Sequence, residues 1–443
     1  MNKSLSLKLG TIALLVMVLL IPLLMISGLI DERQSLRDSV VEDIAQSSSH
    51  AQQISGPLLV VPYSKYERVW KVQDGKSYQE TQIRKSYLAF LPDSFVLDGT
   101  ASTELRSRGI YEARLFHAQS RISGRFKIPA NWGITSDLDD YRFETPFIAV
   151  GISDIRGIQN GLQLKLDDRT LDFAAGSKLD WLGGGVHAVV DNLDSKAEMN
   201  MAYAFDLNLQ GTGQLHVLPV GRSSHVTLAA NWPHPSFVGN YLPNSREIDA
   251  TGFKAQWQTS FFSTNLEEAL TRCINIQNCA GFQGRAFGVS FVDPVDQYLK
   301  SERAIKYALL FIALTFAGFF LFEVLRNLSV HPIQYALVGA ALALFYLLLL
   351  SLSEHLGFGL AYLLSAGGCV LLIGFYLCHV LHSMGRGLGF ATGLALLYAL
   401  LYGLLSAEDY ALLMGALLLF ALLGVFMVLT RRLDWYRAGQ VRT

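Results

Sequence analysis

The residues of this chain that could do chemistry are ionisable or nucleophilic side chains set beside long apolar runs, together with one stiff aromatic loop. Glu323, Glu354, His355, Glu408 and Asp409 all stand next to such runs. An ionisable group deep in a bilayer marks a proton or ion path by default. These five fall at run ends, so interfacial anchoring is the first expectation and proton handling the second. His379 and His382 lie three apart on one helical face. Without a third ligand they read as interfacial histidines, and no metal is assigned. Cys273 and Cys279 suit either a local loop staple or two free thiols, and the spacing leaves both open.

The aromatic loop is Asn231-Trp232-Pro233-His234-Pro235-Ser236-Phe237. Its two prolines fix φ and remove two backbone donors, which excludes a central strand and ends the one before it. Trp232, His234 and Phe237 are therefore candidates for partner binding. The competing reading is a buried corner that anchors the loop, and it is preferred because aromatic residues usually pack. The glycines of Trp181-Leu182-Gly183-Gly184-Gly185-Val186-His187 have no following helix pattern or lysine, so they make a poor phosphate cradle. Ser224-His225 reads as a solvated strand edge. The G-x-S-x-G, H-E-x-x-H and Walker patterns are absent. No catalytic residue and no cofactor follows from these residues.

The elements that must position these groups are read from hydropathy. The chain has 443 residues, 51% hydrophobic and 16% charged, with a formal net charge of -1. A balance of that kind offers no basic face for nucleic acid. Leu9 to Ile30 forms one apolar run, too long for a signal-peptide core and without an A-x-A-like cleavage site, which predicts an uncleaved anchor. Five more runs follow between Ala304 and Thr430. The expectation is a multi-pass α-helical membrane protein with six spans. The recurrence of Gly385, Gly389 and Gly393 predicts a small-residue ridge for close helix packing.

Between the anchor and these spans, Leu36, Val40 and Ile44 predict a helix continuing out of the anchor. After Gly56-Pro57 the period becomes two. Ile122 to Ile128, Tyr203 to Leu209, Phe253 to Thr259 and Phe287 to Phe291 alternate as half-buried, mostly antiparallel strands. Turn signals stand at Asp74-Gly75, Asp98-Gly99, Asn160-Gly161 and Gly211-Thr212-Gly213. A two-sheet sandwich is the economical architecture, as one lobe or two, with a closed barrel as the alternative. The expected division is an anchor (1–30), a large mainly-β domain (31–303), five helices (304–430) and a tail (431–443).

Lys3, Lys8, Arg326, Arg386, Arg431 and Arg432 collect on one side of this topology. Glu354, Glu408 and Asp409 hold the short turns of the other. By the positive-inside rule both termini are cytoplasmic, and the β domain lies outside, in the periplasm if the cell is bacterial. Trp435 and Tyr436 suit an interfacial belt.

The segments NWPHPSF (231–237), GFKAQWQTSFF (252–262), DQYLKSERAIKYALLFIALTF (296–316), HPIQYALVGAALALFYLLLLSLSEHLGF (331–358) and LDWY (433–436) resemble the CreD family. The resemblance implies a bacterial inner-membrane protein linked to cell-envelope integrity and colicin tolerance, under the control of a sensor kinase and response regulator. It implies no established enzymatic activity and supplies no catalytic residues. Cys273 and Cys279 are not expected family cysteines. The partners expected are the lipid bilayer and an envelope protein, lipid or glycan, with homo-oligomerisation through the spans as an added expectation. Transport, or the handling of lipid or envelope polymer by the spans, is the alternative.

Overall fold

The computed structural model describes residues 3–73, 76–276, 278–291, 296–326, 330–381, 383–406 and 411–431. Two compact units are present, Ser39–Pro294 and a second made of Met1–Asp38 with Val295–Thr443. The first helix, α1 (Lys3–Ser47), holds Pro22 within it and continues beyond the apolar run, as the four-residue spacing of Leu36, Val40 and Ile44 predicts. Its 45 residues rise about 68 Å.

The β unit is a sandwich of a nine-stranded and an eight-stranded sheet. One apolar core holds residues of both, including Leu58, Val60 and Ile148 from the first and Phe95, Phe126 and Phe205 from the second. It is therefore one lobe. The predicted alternation holds best in Met199–Thr212, where Tyr203, Phe205, Leu207 and Leu209 point inward. It fails where a strand is covered on both faces. Phe147–Ile152 and Phe287–Ser290 are buried at every position, the pattern of a continuous apolar run rather than an alternating one. Two pairings are parallel, Gln52–Ser55 with Leu215–Leu218 and Ser94–Ala101 with Ser223–Ala230.

Asp98-Gly99 is no turn. Both lie inside the strand Ser94–Arg108, opposite Arg121 and Ser120. A Cβ on Gly99 would stand 2.8 Å from Leu228 Cδ2, so the glycine serves close packing. Asp74-Gly75 lies outside the described residues. Three short helices follow the last long strand: α2 (Phe261–Thr264), α3 (Leu266–Ile276) and α4 (Ala280–Gln283). Leu266, Ala269, Leu270 and Cys273 put one face of α3 on the core.

The helical unit adds α5 (Gln297–Arg326), α6 (Pro332–Leu356), α7 (Phe358–Val380), α8 (Met384–Ser406) and α9 (Ala411–Thr430) to the first part of α1. Five helices, α1 and α5 to α8, are long and apolar enough to cross a bilayer. Where the sixth span is expected lies α9, whose apolar stretch among the described residues is the shorter Leu413–Val425. The start of α6 follows the expected chemistry. Pro332 takes the first turn, His331 Nδ1 accepts the Ile333 N–H at 3.3 Å, and Gln334 Oε1 accepts the His331 N–H at 3.0 Å. In sequence Ser353-Glu354-His355 reads as the tight polar turn expected to hold Glu354, but it is the last turn of α6. The reversal falls at Gly357, whose φ of +74° suits a residue without Cβ.

The glycine ridge also falls elsewhere. A Cβ on Gly385, Gly389 or Gly393 would meet nothing within 4 Å. Close approach is made at Gly339, where a Cβ would lie 2.4 Å from Leu19 Cδ1 of α1, and at Gly374, 2.9 Å from Ala391 Cβ. Recurrence every fourth residue marks a face but does not say whether a neighbour covers it.

Candidate functional site

Two polar clusters hold α1 to its neighbours. Near the start of α1, Glu323 is only 4% exposed. Lys8 Nζ donates to its Oε1. The Val330 N–H donates to the same oxygen at 2.8 Å, and the Tyr335 hydroxyl to Oε2 at 2.9 Å. A carboxylate removed from water is thus met by one cation and two neutral donors. Further along α1, Glu354 Oε1 accepts the Tyr298 hydroxyl at 3.0 Å and lies 3.8 Å from Arg33 Nε. Arg37 pairs with Asp296 and Asp38, its guanidinium carbon 5.5 Å from the Tyr298 ring centroid. Asp296 also accepts the Tyr298 N–H at 2.9 Å. Lys8 and Arg33 are separated along the helix by about 37 Å, against a hydrocarbon thickness of about 30 Å. The clusters therefore bracket the apolar length of α1.

Between these ends a hydroxyl and thiol seam joins α6, α7 and α8. Tyr362 donates to the Tyr398 carbonyl at 2.7 Å, Tyr398 to Cys369 Sγ at 3.3 Å, and Cys369 to the Ala341 carbonyl at 3.5 Å. Ser365 is fully buried, and its hydroxyl has no partner among the described residues.

In the β unit, the end of α1 meets a charged corner. His50 Nε2 lies 3.0 Å from Glu42 Oε1, and Nδ1 lies 3.1 Å from Asp154 Oδ2. Arg156 donates to both Asp154 oxygens, at 2.9 and 2.6 Å, and to the Gln46 carbonyl at 2.6 Å. The bond from Arg156, with His50 adding, holds the Asp154 carboxyl well below the usual carboxylate range. Asp154 and then Glu42 push the His50 imidazole above its ordinary value. The histidine's contribution is complete below about pH 6.5 and is lost as pH rises through its raised value. The aspartate's is present above about pH 4 and is lost as pH falls through its depressed value. Hydrogen-exchange protection at residues 48–50 and 154–158, corrected for intrinsic rate, should therefore be greatest at mildly acidic pH and decline above neutrality. In His50→Gln the decline should disappear.

Of the residues singled out from sequence, Glu323 and Glu354 are joined to other helices, while His355 is exposed. Glu408 and His382 lie outside the described residues, as do Trp435 and Tyr436. His379 Nδ1 lies 3.1 Å from its own helix's Phe375 carbonyl. No group of three or more His, Cys, Asp or Glu side chains among the described residues is placed to hold a metal ion. Trp232 is the buried corner rather than an exposed recognition residue. It is 7% exposed, donates to the His234 carbonyl at 2.9 Å, and carries the Arg114 guanidinium 3.8 Å over its ring. Phe237 packs edge-on to Phe253 and Trp257. His234 alone of the three is exposed. Cys273 and Cys279 are joined by a disulfide, with Cα atoms 4.3 Å apart. Lys8, Tyr335, Arg33, Arg37 and the His50 corner were not marked from sequence, because their partners lie up to 315 residues away.

Residues 4–436 match the sequence profile of the family described as Inner membrane protein CreD. Over 425 residues the chain is 38% identical to Inner membrane protein CreD of Escherichia coli (strain K12), covering 95% of this chain and 91% of that protein.

Proposed function

The chain belongs to the CreD family, and we propose that it acts without catalysis in bacterial cell-envelope integrity, its β domain serving as a partner-binding module. In this reading residues 31–303 face the periplasm, both termini are cytoplasmic, and the helices form the anchor. The observation that carries it is how the buried acids of the helical unit are used. Glu323 accepts from Lys8 of α1, the Val330 N–H and Tyr335 of α6, while Glu354 accepts from Tyr298 of α5 and lies 3.8 Å from Arg33 of α1, so both hold α1 in place. A carboxylate satisfied in this way has little capacity left to bind and release a coupling ion.

Photo-crosslinking probes at His234 and at exposed strand positions of the β domain should capture a reproducible envelope protein in living cells. A companion test separates anchoring from proton coupling. Glu354→Gln with His355→Ala keeps the acceptor for Tyr298 but removes both titrating groups. Envelope resistance to detergent should match the parent when protein levels match. Lost resistance in a folded variant would transfer the assignment to ion-coupled transport. The buried Ser365 hydroxyl favours a second reading, in which the seam of α6 to α8 handles a lipid or envelope polymer. Adducts of lipid or glycan, rather than protein, would support it.

A further inference from the structure

The first two strands of the β unit, Gln52–Gln73 and Lys76–Phe90, form a hairpin that outruns its sheet. Third strands accompany it at Ile54–Val60 and at Tyr63–Lys65. Beyond Lys65 only the two hairpin strands pair with each other. A two-stranded ribbon has no core of its own, so its two faces are defined by side-chain alternation alone.

Those faces differ in kind. Directly opposed residues share a face. One face carries the pairs Ser64 with Lys85, Tyr66 with Ile83, Arg68 with Thr81 and Trp70 with Gln79. Trp70 is 69% exposed and Ile83 58%. No carboxylate stands among these pairs, and neither Arg68 nor Lys85 has an ion-pair partner among the described residues. The opposite face carries Lys65 with Arg84, Glu67 with Gln82, Val69 with Glu80 and Lys71 with Tyr78. There Lys65 pairs with Glu67 at 3.4 Å and Lys71 pairs with Glu80.

From this asymmetry we infer that the Tyr66, Arg68, Trp70, Ile83 and Lys85 face is a docking surface for an anionic phospholipid bilayer. Amphipathic aromatic rings, an aliphatic side chain and cations without acids are the chemistry of the headgroup region. Size argues in the same direction. Eight residues of a two-stranded ribbon present roughly 27 by 10 Å, or about 270 Å², well short of the roughly 800 Å² per partner of a stable protein interface. Headgroup insertion has no such threshold, and the domain is covalently continuous with spanning helices at both ends. The surface is separate from the His234 loop, so a crosslink from that loop does not decide it.

The test uses the full-length protein in phosphatidylcholine vesicles, with or without a minority of phosphatidylglycerol carrying brominated, fluorescence-quenching chains. Quenching by the brominated lipid should contain a component that Trp70→Phe removes. The Arg68→Glu, Lys85→Glu variant should weaken that component roughly tenfold, because each cation contributes to attraction by anionic headgroups. All three side chains are exposed, so folding should be unaffected, and circular dichroism checks it. Equal quenching of parent and Trp70→Phe overturns the proposal. So does a Trp70 component equally strong with brominated phosphatidylcholine and unmoved by the charge reversal. A Trp70 emission that responds to protein density and not to lipid assigns the face to a second copy instead.

Discussion

Replacing Glu323 with alanine should destabilise the helical unit by about 3–5 kcal/mol, the cost of breaking a buried charge pair by removing one partner. Three donors converge on this carboxylate: the Lys8 ammonium, the Val330 N–H and the Tyr335 hydroxyl. Truncation leaves all three short of an acceptor in a site where Glu323 itself is 4% exposed. The Lys8 side chain is 27% exposed, so solvent relieves part of its orphaned charge and the loss falls toward the lower end of that range. Glu323→Gln should lose less, since its amide oxygen still accepts from Val330 or Tyr335. Adding Lys8→Met to Glu323→Gln should recover stability, because it removes the orphaned cation. Thermal unfolding in detergent across this double-mutant cycle measures the coupling. Additive effects of the two substitutions would show that Lys8 and Glu323 do not depend on each other.

The second large effect is expected at Gly124. A Cβ there would lie 1.9 Å from the Ser94 carbonyl oxygen and 2.5 Å from the Tyr203 hydroxyl oxygen. The Tyr203 hydroxyl donates to that same carbonyl at 3.1 Å, so the close approach of these neighbouring strands is fixed from both sides and the clashing atom is backbone. Overpacking a well-packed core typically costs about 1–3 kcal/mol. Here relief requires moving one strand of the eight-stranded sheet off its neighbour, so Gly124→Val should break that sheet. Limited proteolysis in membranes should cut the β domain of this variant under conditions that leave the parent intact. Gly161→Ala, where a Cβ meets nothing within 4 Å, should behave as the parent, within about 0.5 kcal/mol.

What could be read from the sequence follows the range of each signal. Apolar length and four-residue spacing are local, so the spans and the continuation of α1 beyond its apolar run were legible. Period-two alternation is local too and identified strands such as Met199–Thr212. It could not identify Phe147–Ile152, buried on both faces, because an apolar run without period fits a buried helix as well. Asp98-Gly99 misled because a glycine needed for close packing looks the same as one needed for a turn. Trp232 was legible as a rigid loop residue, with burial the preferred reading. Of the clusters that hold α1, the acids Glu323 and Glu354 were legible at run ends, but their partners were not. Arg37 meets Asp296 across 259 positions and Lys8 meets Glu323 across 315. Each of these charges, read locally, is one more residue at the end of an apolar run.

The parallel pairings also fix an order of events in time. Gln52–Ser55 has its place beside Leu215–Leu218, and Ser94–Ala101 beside Ser223–Ala230. At roughly 5–20 residues per second of synthesis, the first strand waits on the order of ten seconds or more before that neighbour exists. Through that interval the edges at Gln52–Ser55 and Ser94–Ala101 are unpaired, the form most prone to mispairing. The hairpin of Gln52–Gln73 with Lys76–Phe90 can pair as soon as it is made, but the edges at Gln52–Ser55 and Ser94–Ala101 stay open until residues 215–230 exist, so both sheets are closed only by strands made late.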